Sequence, residues 1–380
     1  MAELIFFLSL FFIFYVYAGY PLLAALLGAV LNRRVKTADI VPAVSILIAA
    51  YNEEDSIEAT VRNKLALDYP PEKLEIIVIS DESTDNTDAI INGITDPRVR
   101  LLRQEPRAGK TSALNFAVPL AKGEIIVFSD ANSLYGPDAV QRLVADFADQ
   151  QVGYVSGKMI YANPDGTPIG EGCSAYMKYE NALRSAETRL GSIVGVDGGI
   201  DAVRKALYRP LNVDQLPDFV QPLKIVEQGF RVVYEPQALL WEHSLKDSSD
   251  EYRMRVRVSL RALWALFDMR QLLFPGVNTL FAWQLWSHKV LRYLCFIFMA
   301  GAFIANALLV GSSQFYFVFF VVQLAGYLMA LFAPYLERIG VTGRIFTFSR
   351  YFLLLNVAAA HAFCKFICGK KQIIWTPRKG

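Results

Sequence analysis

Two apolar runs of strand length, EIIVISD at residues 75–81 and EIIVFSD at 124–130, each end on a carboxylate, Asp81 and Asp130. A polar loop follows each: SDESTDNT begins at Ser80, and Asn132 lies just beyond Asp130. Uninterrupted apolar runs of this length suit buried strands. In open α/β sheets the carboxyl ends of such strands are where ligands sit. Further runs, VSILIAA, VRLLRQ and VGYVSGKMIY, alternate with helix-like stretches at 53–66, 110–119 and 137–150. Strands alternating with helices predict an α/β domain with a mostly parallel sheet covered on both faces. Pro137, directly after Gly136, suits the first turn of the third helix.

A second half begins near Val152. It holds an expected helix at 171–190, the glycine cluster GVDGG, the segment LPDF, and a strand pair, FRVVYEP and ALLWEH. A basic, aromatic helix is expected at 251–267, broken by Phe274-Pro275-Gly276. Residues 280–288 carry Trp283, Trp286 and His288, a mix that suits a bilayer interface.

The 380 residues are 54% hydrophobic, with mean hydropathy +0.30, and the excess sits at the two ends. Residues 4–31 contain no charge, enough to cross a bilayer. The run is too long for a signal-peptide core and no basic residue precedes it, so an anchor is expected. Arg33 and Arg34 follow at once and place the next segment in the cytosol. Three more apolar segments lie at 290–310, 315–333 and 345–367. The last contains Arg350, His361 and Lys365, which suits spanning, re-entry or an interfacial position. Four spans would place the tail outside, whereas Lys370, Lys371, Arg378 and Lys379 argue for inside; a third segment that does not cross removes the conflict. The expected domains are therefore 1–31 (membrane helix), 32–270 (cytosolic domain), 271–289 (interfacial), 290–368 (membrane helices) and 369–380 (basic tail).

Net charge is +2 with no long basic run in the soluble region, so nucleic acid is not an expected partner. Four scattered cysteines form no CxxC pair, and Cys364 and Cys368 read as packing residues on one helix face. AAYNEE, with Tyr51 and Glu53, ends the first strand and opens a helix. A helix amino terminus offers N–H groups to an anion and Tyr51 a flat face to a base, but a capped turn explains the segment equally. RAGKTSALN sets Arg107 and Lys110 beside a glycine, suited to phosphate or simply solvated; it is no Walker A motif. DAN places Asp130 and Asn132 as hard oxygen donors for Mg²⁺ or Mn²⁺, or as an Asx turn. Such a metal would neutralise a diphosphate leaving group. Asp218, flanked by apolar residues in LPDFV, suits a general base, although its spacing alone favours a helix cap.

Taken in order, AAYNEE, SDESTDNT, RAGKTSALN, FSDAN, VDGG, PDF and FRVVYEPQA resemble glycosyltransferase family 2, over residues 44–264. The flanking apolar segments fit its membrane-bound, polysaccharide-making branch. The resemblance implies a GT-A fold, inverting chemistry, a nucleotide-sugar donor (a UDP-sugar) and a lipid-linked or growing glycan as acceptor. It also implies a bacterial inner-membrane location and partner polysaccharide-assembly proteins. Residue by residue, it implies that Tyr51 stacks on the base, Asp81 hydrogen-bonds it, and Glu53, Arg107 and Lys110 lie near the nucleotide. Asp130 and Asn132 fill the DxD position, Asp130 facing the ribose or metal and Asn132 the metal-bound diphosphate. Asp218 matches the second acid of the ED base motif, and Gly198 and Gly199 approach the acceptor. Arg257 keeps the arginine of QxxRW and can neutralise diphosphate.

Three motifs depart from that pattern. Asn132 ends the DxD, Pro217 replaces the first acid of ED, and Met254 and Val258 replace the Gln and Trp of QxxRW. A polyprenyl-phosphate sugar transferase, a processive synthase and a non-catalytic glycan sensor are the competing expectations.

Overall fold

The computed structural model describes residues 1–162, 168–243, 248–338 and 343–372. Its frame is one sheet of eight strands: β1 (Val44–Ala50), β2 (Leu74–Asp81), β3 (Val99–Gln104), β4 (Ile125–Asp130), β5 (Leu134–Tyr135), β6 (Val152–Ala162), β7 (Asp201–Arg204) and β8 (Arg231–His243). Their order is β3-β2-β1-β4-β7-β6-β8-β5. β7 and β5 run against the other six, so the sheet is mixed but mostly parallel. Register aligns Ala50 with Ser80 and Ala49 with Asp130, so the loops after β1, β2 and β4 leave at one edge.

Alternate residues of the central strands enter separate cores, as a two-sided sheet requires. Helices α1 (Ala2–Phe14) and α2 (Tyr20–Leu31) precede the sheet, and α3 (Ile57–Leu65), α4 (Thr87–Asn92), α5 (Lys110–Leu120) and α6 (Ala139–Ala145) connect its first strands. The later helices are α7 (Pro168–Leu190), α8 (Pro217–Glu227), α9 (Ser248–Asp268) and α10 (Pro275–Leu285). Ile46, Ile48, Ile76 and Val78 pack with α3 and α6, whereas Leu47, Ile77 and Ile79 pack with α5, α8 and α9. Each is fully buried, and truncating one to Ala costs about 2–5 kcal/mol.

Several elements differ from expectation. The helix expected from residue 53 begins at Ile57, because Asn52 is left-handed (φ 54°) and the backbone to Ser56 forms a turn. FRVVYEP and ALLWEH are one strand, β8, whose pairing with β6 shifts register between Ser156 and Lys158. α4, β5 and β7 are short and their sequences gave no periodic signal.

After α10 come a π turn, the short α11 (Leu291–Tyr293), α12 (Cys295–Leu309), α13 (Gln314–Arg338) and α14 (Arg344–Ile367). Three stretches, Ala2–Leu31, Gln314–Ala333 and Ile345–Ile367, are long and apolar enough to cross a membrane, and the pair Asn278–Tyr293 and Cys295–Leu309 is bent by 57°. α12 runs antiparallel to α1: Phe298 stacks on Phe12, and Ala305 packs on Phe6. α14 instead lies along α9, pairing Tyr351 with Arg255, His361 with Tyr252, and Phe366 with Trp264. The backbone oxygen of Lys370 accepts from Trp264, and Lys371 pairs with Asp214. Lys370 and Lys371, just after α14, therefore lie against the domain that carries the sheet. His288, in the segment expected at the bilayer interface, is fully buried between Glu187 and Glu180 of α7.

Candidate active site

The loops after β1 and β2 are clasped together. Asn52 N donates to Ser83 Oγ (3.1 Å), Glu53 N to Thr87 Oγ1 (2.9 Å) and Glu54 N to Asp85 Oδ2 (3.1 Å). Asn52 Oδ1 in turn accepts from Thr84 N (2.8 Å). These N–H groups are thus taken by side chains, which overturns the reading of AAYNEE as a free helix terminus for an anion. Asp85, accepting from Thr87 and Glu54, is held below the usual carboxylate range against its partial burial.

Asp81, 3% exposed, anchors the next loop. It accepts from Ala108 N (2.9 Å), Gly109 N (2.8 Å) and Gln104 Nε2 (2.5 Å), with Arg107 Nε at 3.9 Å. A carboxylate has about four acceptor sites, so Asp81 keeps capacity for one more bond. Arg107 lies over the Tyr51 ring, 3.4 Å from its centroid, so one face of that ring is covered. Gly109 (φ 89°) turns the chain into α5, and Lys110 Nζ donates to Asp130 Oδ1 (2.6 Å).

The DAN loop rests on a residue that gave no signal in the sequence. Lys64 of α3 is fully buried; its ammonium donates to Ser133 O (2.5 Å) and sits over Tyr135, 3.5 Å from the ring centroid. Burial drives this lysine well below its ordinary range, opposed by Asp130. Thr60 Oγ1 holds Ala131 O (2.7 Å). Asn132 is left exposed at the rim.

Asp218 is in the first turn of α8, behind Leu216 as the capping residue and Pro217 at the first helical position. It is therefore not the cap residue that spacing favoured. Gly198 faces it so closely that a Cβ there would lie 2.5 Å from Asp218 Oδ2. Gly199 has φ +91°, and a Cβ would lie 3.2 Å from Asp130 Oδ2. The two glycines bring backbone against both carboxylates. Their loop is fixed by Arg184, which pairs with Asp197 (2.5 Å) and donates to Gly195 O (3.1 Å).

One cavity of about 200 Å³ collects Glu53, Lys110, Asp130, Asn132, Asp218 and Arg257. Tyr51, Asp81 and Arg107 do not line it; they form the loop layer beside it, joined through Lys110. Two residues missed in the sequence also face the cavity, Glu242 at the end of β8 and Arg261 of α9. Arg261 lies four residues after Arg257, a spacing that puts both on one helix face and was the available signal. Burial lowers the Arg261 pKa, with Asp218 acting against it. Among the described residues no group of three or more His, Cys, Asp or Glu could hold a metal. The donor set is one carboxylate and one amide, which fits Mg²⁺ or Mn²⁺ only if diphosphate and water complete the shell.

The profile of the family described as Glycosyl transferase family 2 matches residues 45–205, from β1 through β7, so Asp218 and Arg257 lie beyond it. The chain is 28% identical over 270 residues to a poly-beta-1,6-N-acetyl-D-glucosamine synthase of Staphylococcus aureus (strain MSSA476), covering 66% of this chain and 64% of the relative. It is 26% identical over 271 residues to the synthase of that name from Staphylococcus epidermidis, covering 68% and 65%. The match thus spans under two thirds of these relatives. A solved mannosyltransferase from Pyrobaculum calidifontis, in complex with GDP-Man and Mn²⁺, superposes with a TM-score of 0.73 at 24% identity, over 97% of this chain and 100% of that one. That likeness extends the shared fold through the terminal helices. The profile, the strand order and the clasped loops agree: residues 45–205 match the glycosyltransferase family 2 model, within a GT-A-like fold.

Proposed function

We propose that this chain is an inverting glycosyltransferase that moves a sugar from a nucleotide-sugar to a lipid-linked or growing polysaccharide at the cytosolic membrane face. The relatives' name favours an N-acetylhexosamine as the sugar transferred; a UDP-linked donor and a bacterial inner-membrane setting are what the family resemblance adds. Asp218 takes the proton of the acceptor hydroxyl while that oxygen attacks the anomeric carbon. The bond from carbon to the diphosphate oxygen breaks on the opposite face, which inverts the centre. Arg257, Arg261 and Lys110 supply charge-assisted hydrogen bonds to the departing diphosphate. Asp130 and Asn132 hold Mg²⁺ or Mn²⁺, which neutralises diphosphate charge when bound. Tyr51 and Asp81 receive the base, and the Gly198–Gly199 backbone borders the acceptor.

The observation that carries this reading is the single cavity in which the DxD-like pair, the base candidate and two arginines meet. Membranes containing the chain, screened against a panel of nucleotide-sugars, are expected to release nucleoside diphosphate and to form a product of matching mass. No release with any donor would sink the proposal.

A second reading, processive synthesis, is favoured by the relatives' name. Val258 at the tryptophan position of QxxRW weighs against it. Product length separates the two: single additions support simple transfer, and a ladder of long products supports processivity.

A further inference from the structure

One buried carboxyl beside the cavity has no part in this chemistry. Asp201 opens β7 opposite Phe128 of β4, and only 2% of it is exposed. Tyr154 of β6, itself fully buried, donates its hydroxyl to Asp201 Oδ2. Asp201 Oδ1 has no hydrogen-bond partner among the described residues. A buried polar atom left unsatisfied is destabilising, so a partner for this oxygen is expected. Asp201 and Asp218 line one small pocket of about 10 Å³, together with Lys110, Tyr208 and Gln221. That volume is close to what a single water needs, and the lining offers more than two polar partners. Lys110, Pro217 and Asp218 also line the larger cavity, so Asp218 stands between the two spaces.

We propose that Asp201 is a positioning residue for Asp218: the two carboxyls are joined through one water in the pocket they share, and this fixes how Asp218 faces the acceptor. The inference rests on Asp218 as the base. It does not require Asp201 to touch either substrate.

The charges around Asp201 say which partner gives the proton. Tyr154 from β6, Lys110 from α5, Asp130 from β4 and Asp218 from α8 are the groups that act on it. Burial, then the neighbouring carboxylates, push it up to about 8, while Tyr154 and Lys110 pull the other way. Near neutrality Asp201 therefore carries its proton and donates to the water, and the water donates to an Asp218 carboxyl oxygen. At higher pH Asp201 loses that proton, the donor disappears, and a second negative charge faces the base. Turnover should fall on that alkaline side.

The test is turnover against pH for the full chain in detergent, with donor saturating, beside Asp201→Asn, Asp201→Ala and Tyr154→Phe. Asp201→Asn keeps an N–H donor and cannot ionise; it is expected to stay within about threefold of wild type near neutrality and to lose the alkaline limb. Asp201→Ala should lower kcat by about tenfold or more with donor KM unchanged, as loss of positioning does. Tyr154→Phe removes a bond that favours the ionised carboxyl, so its limb should move to higher pH; this variant decides the matter if those at 201 do not fold. Unchanged pH profiles in Asp201→Asn and Tyr154→Phe, or full kcat in Asp201→Ala, would overturn the inference. Asp218→Asn is run in parallel. If it turns over normally the base assignment itself fails, and if it is inactive while the other variants match wild type, only the role of Asp201 fails.

Discussion

The side of the cavity proposed to take the nucleotide closes locally, whereas the side proposed to take the acceptor is assembled from distant helices. Asn52 and Glu53 meet Ser83 and Thr87 across 31 and 34 residues, between neighbouring parallel strands. Asp218 and Arg257 arrive on α8 and α9, and what ties them to the nucleotide side is long-range. Thr111 donates to Gln215 O (2.9 Å) across 104 residues, and Arg261 donates to the same oxygen (2.5 Å). The first side is thus fixed before a donor binds, in the manner of a preorganised site. The second depends on helices that also pack against the terminal helices, α9 against α14 among them. Donor binding and sugar transfer should therefore be separable by mutation.

The largest expected effect on the nucleotide side is from Asp130→Ala. It should cost about 100-fold or more in kcat/KM and abolish the gain in nucleotide affinity with Mn²⁺, read by titration with and without the metal. Chelator should reproduce this in wild type, and full activity in chelator would remove the metal role. Next is Gly198→Ala, whose methyl would displace Asp218; kcat should fall about 10- to 100-fold with donor affinity kept. A parallel loss of donor affinity would contradict the division of the site. Asp81→Asn loosens the loop at Ala108 and Gly109 and should raise donor KM about tenfold with kcat little changed. A drop in kcat alone would contradict it. The smallest effect is Glu58→Gln: the exposed pair with Arg62 contributes about 0–1 kcal/mol, so thermal unfolding should barely move.

The same division explains what could be read from the sequence. β1, β2 and β4 are uninterrupted apolar runs, and the carboxylates that end them fall where open sheets bind ligands. Asp81, Lys110, Asp130 and Asn132 were therefore visible as strand-end or loop residues close to a turn signal. Lys64 was not, since a lysine on an amphipathic helix reads as a solvated face; only the fold puts it beneath the DAN loop. Asp201 begins a four-residue strand whose antiparallel partners lie far away in sequence, so no local period reveals it. α14 was ambiguous because composition permits both spanning and lying flat, and its contacts with α9 are tertiary. The helix expected from Glu53 failed for a related reason: side chains of the next loop took the backbone groups a helix would have used.

The most direct measurement of the central claim compares donor binding with sugar transfer in purified Asp218→Asn protein. The account predicts nucleotide affinity within about twofold of wild type and transfer reduced by roughly 10²- to 10⁴-fold, the range for loss of a general base. Transfer within a few-fold of wild type would contradict it, because the base would then lie elsewhere and the shared cavity would not be the reacting centre.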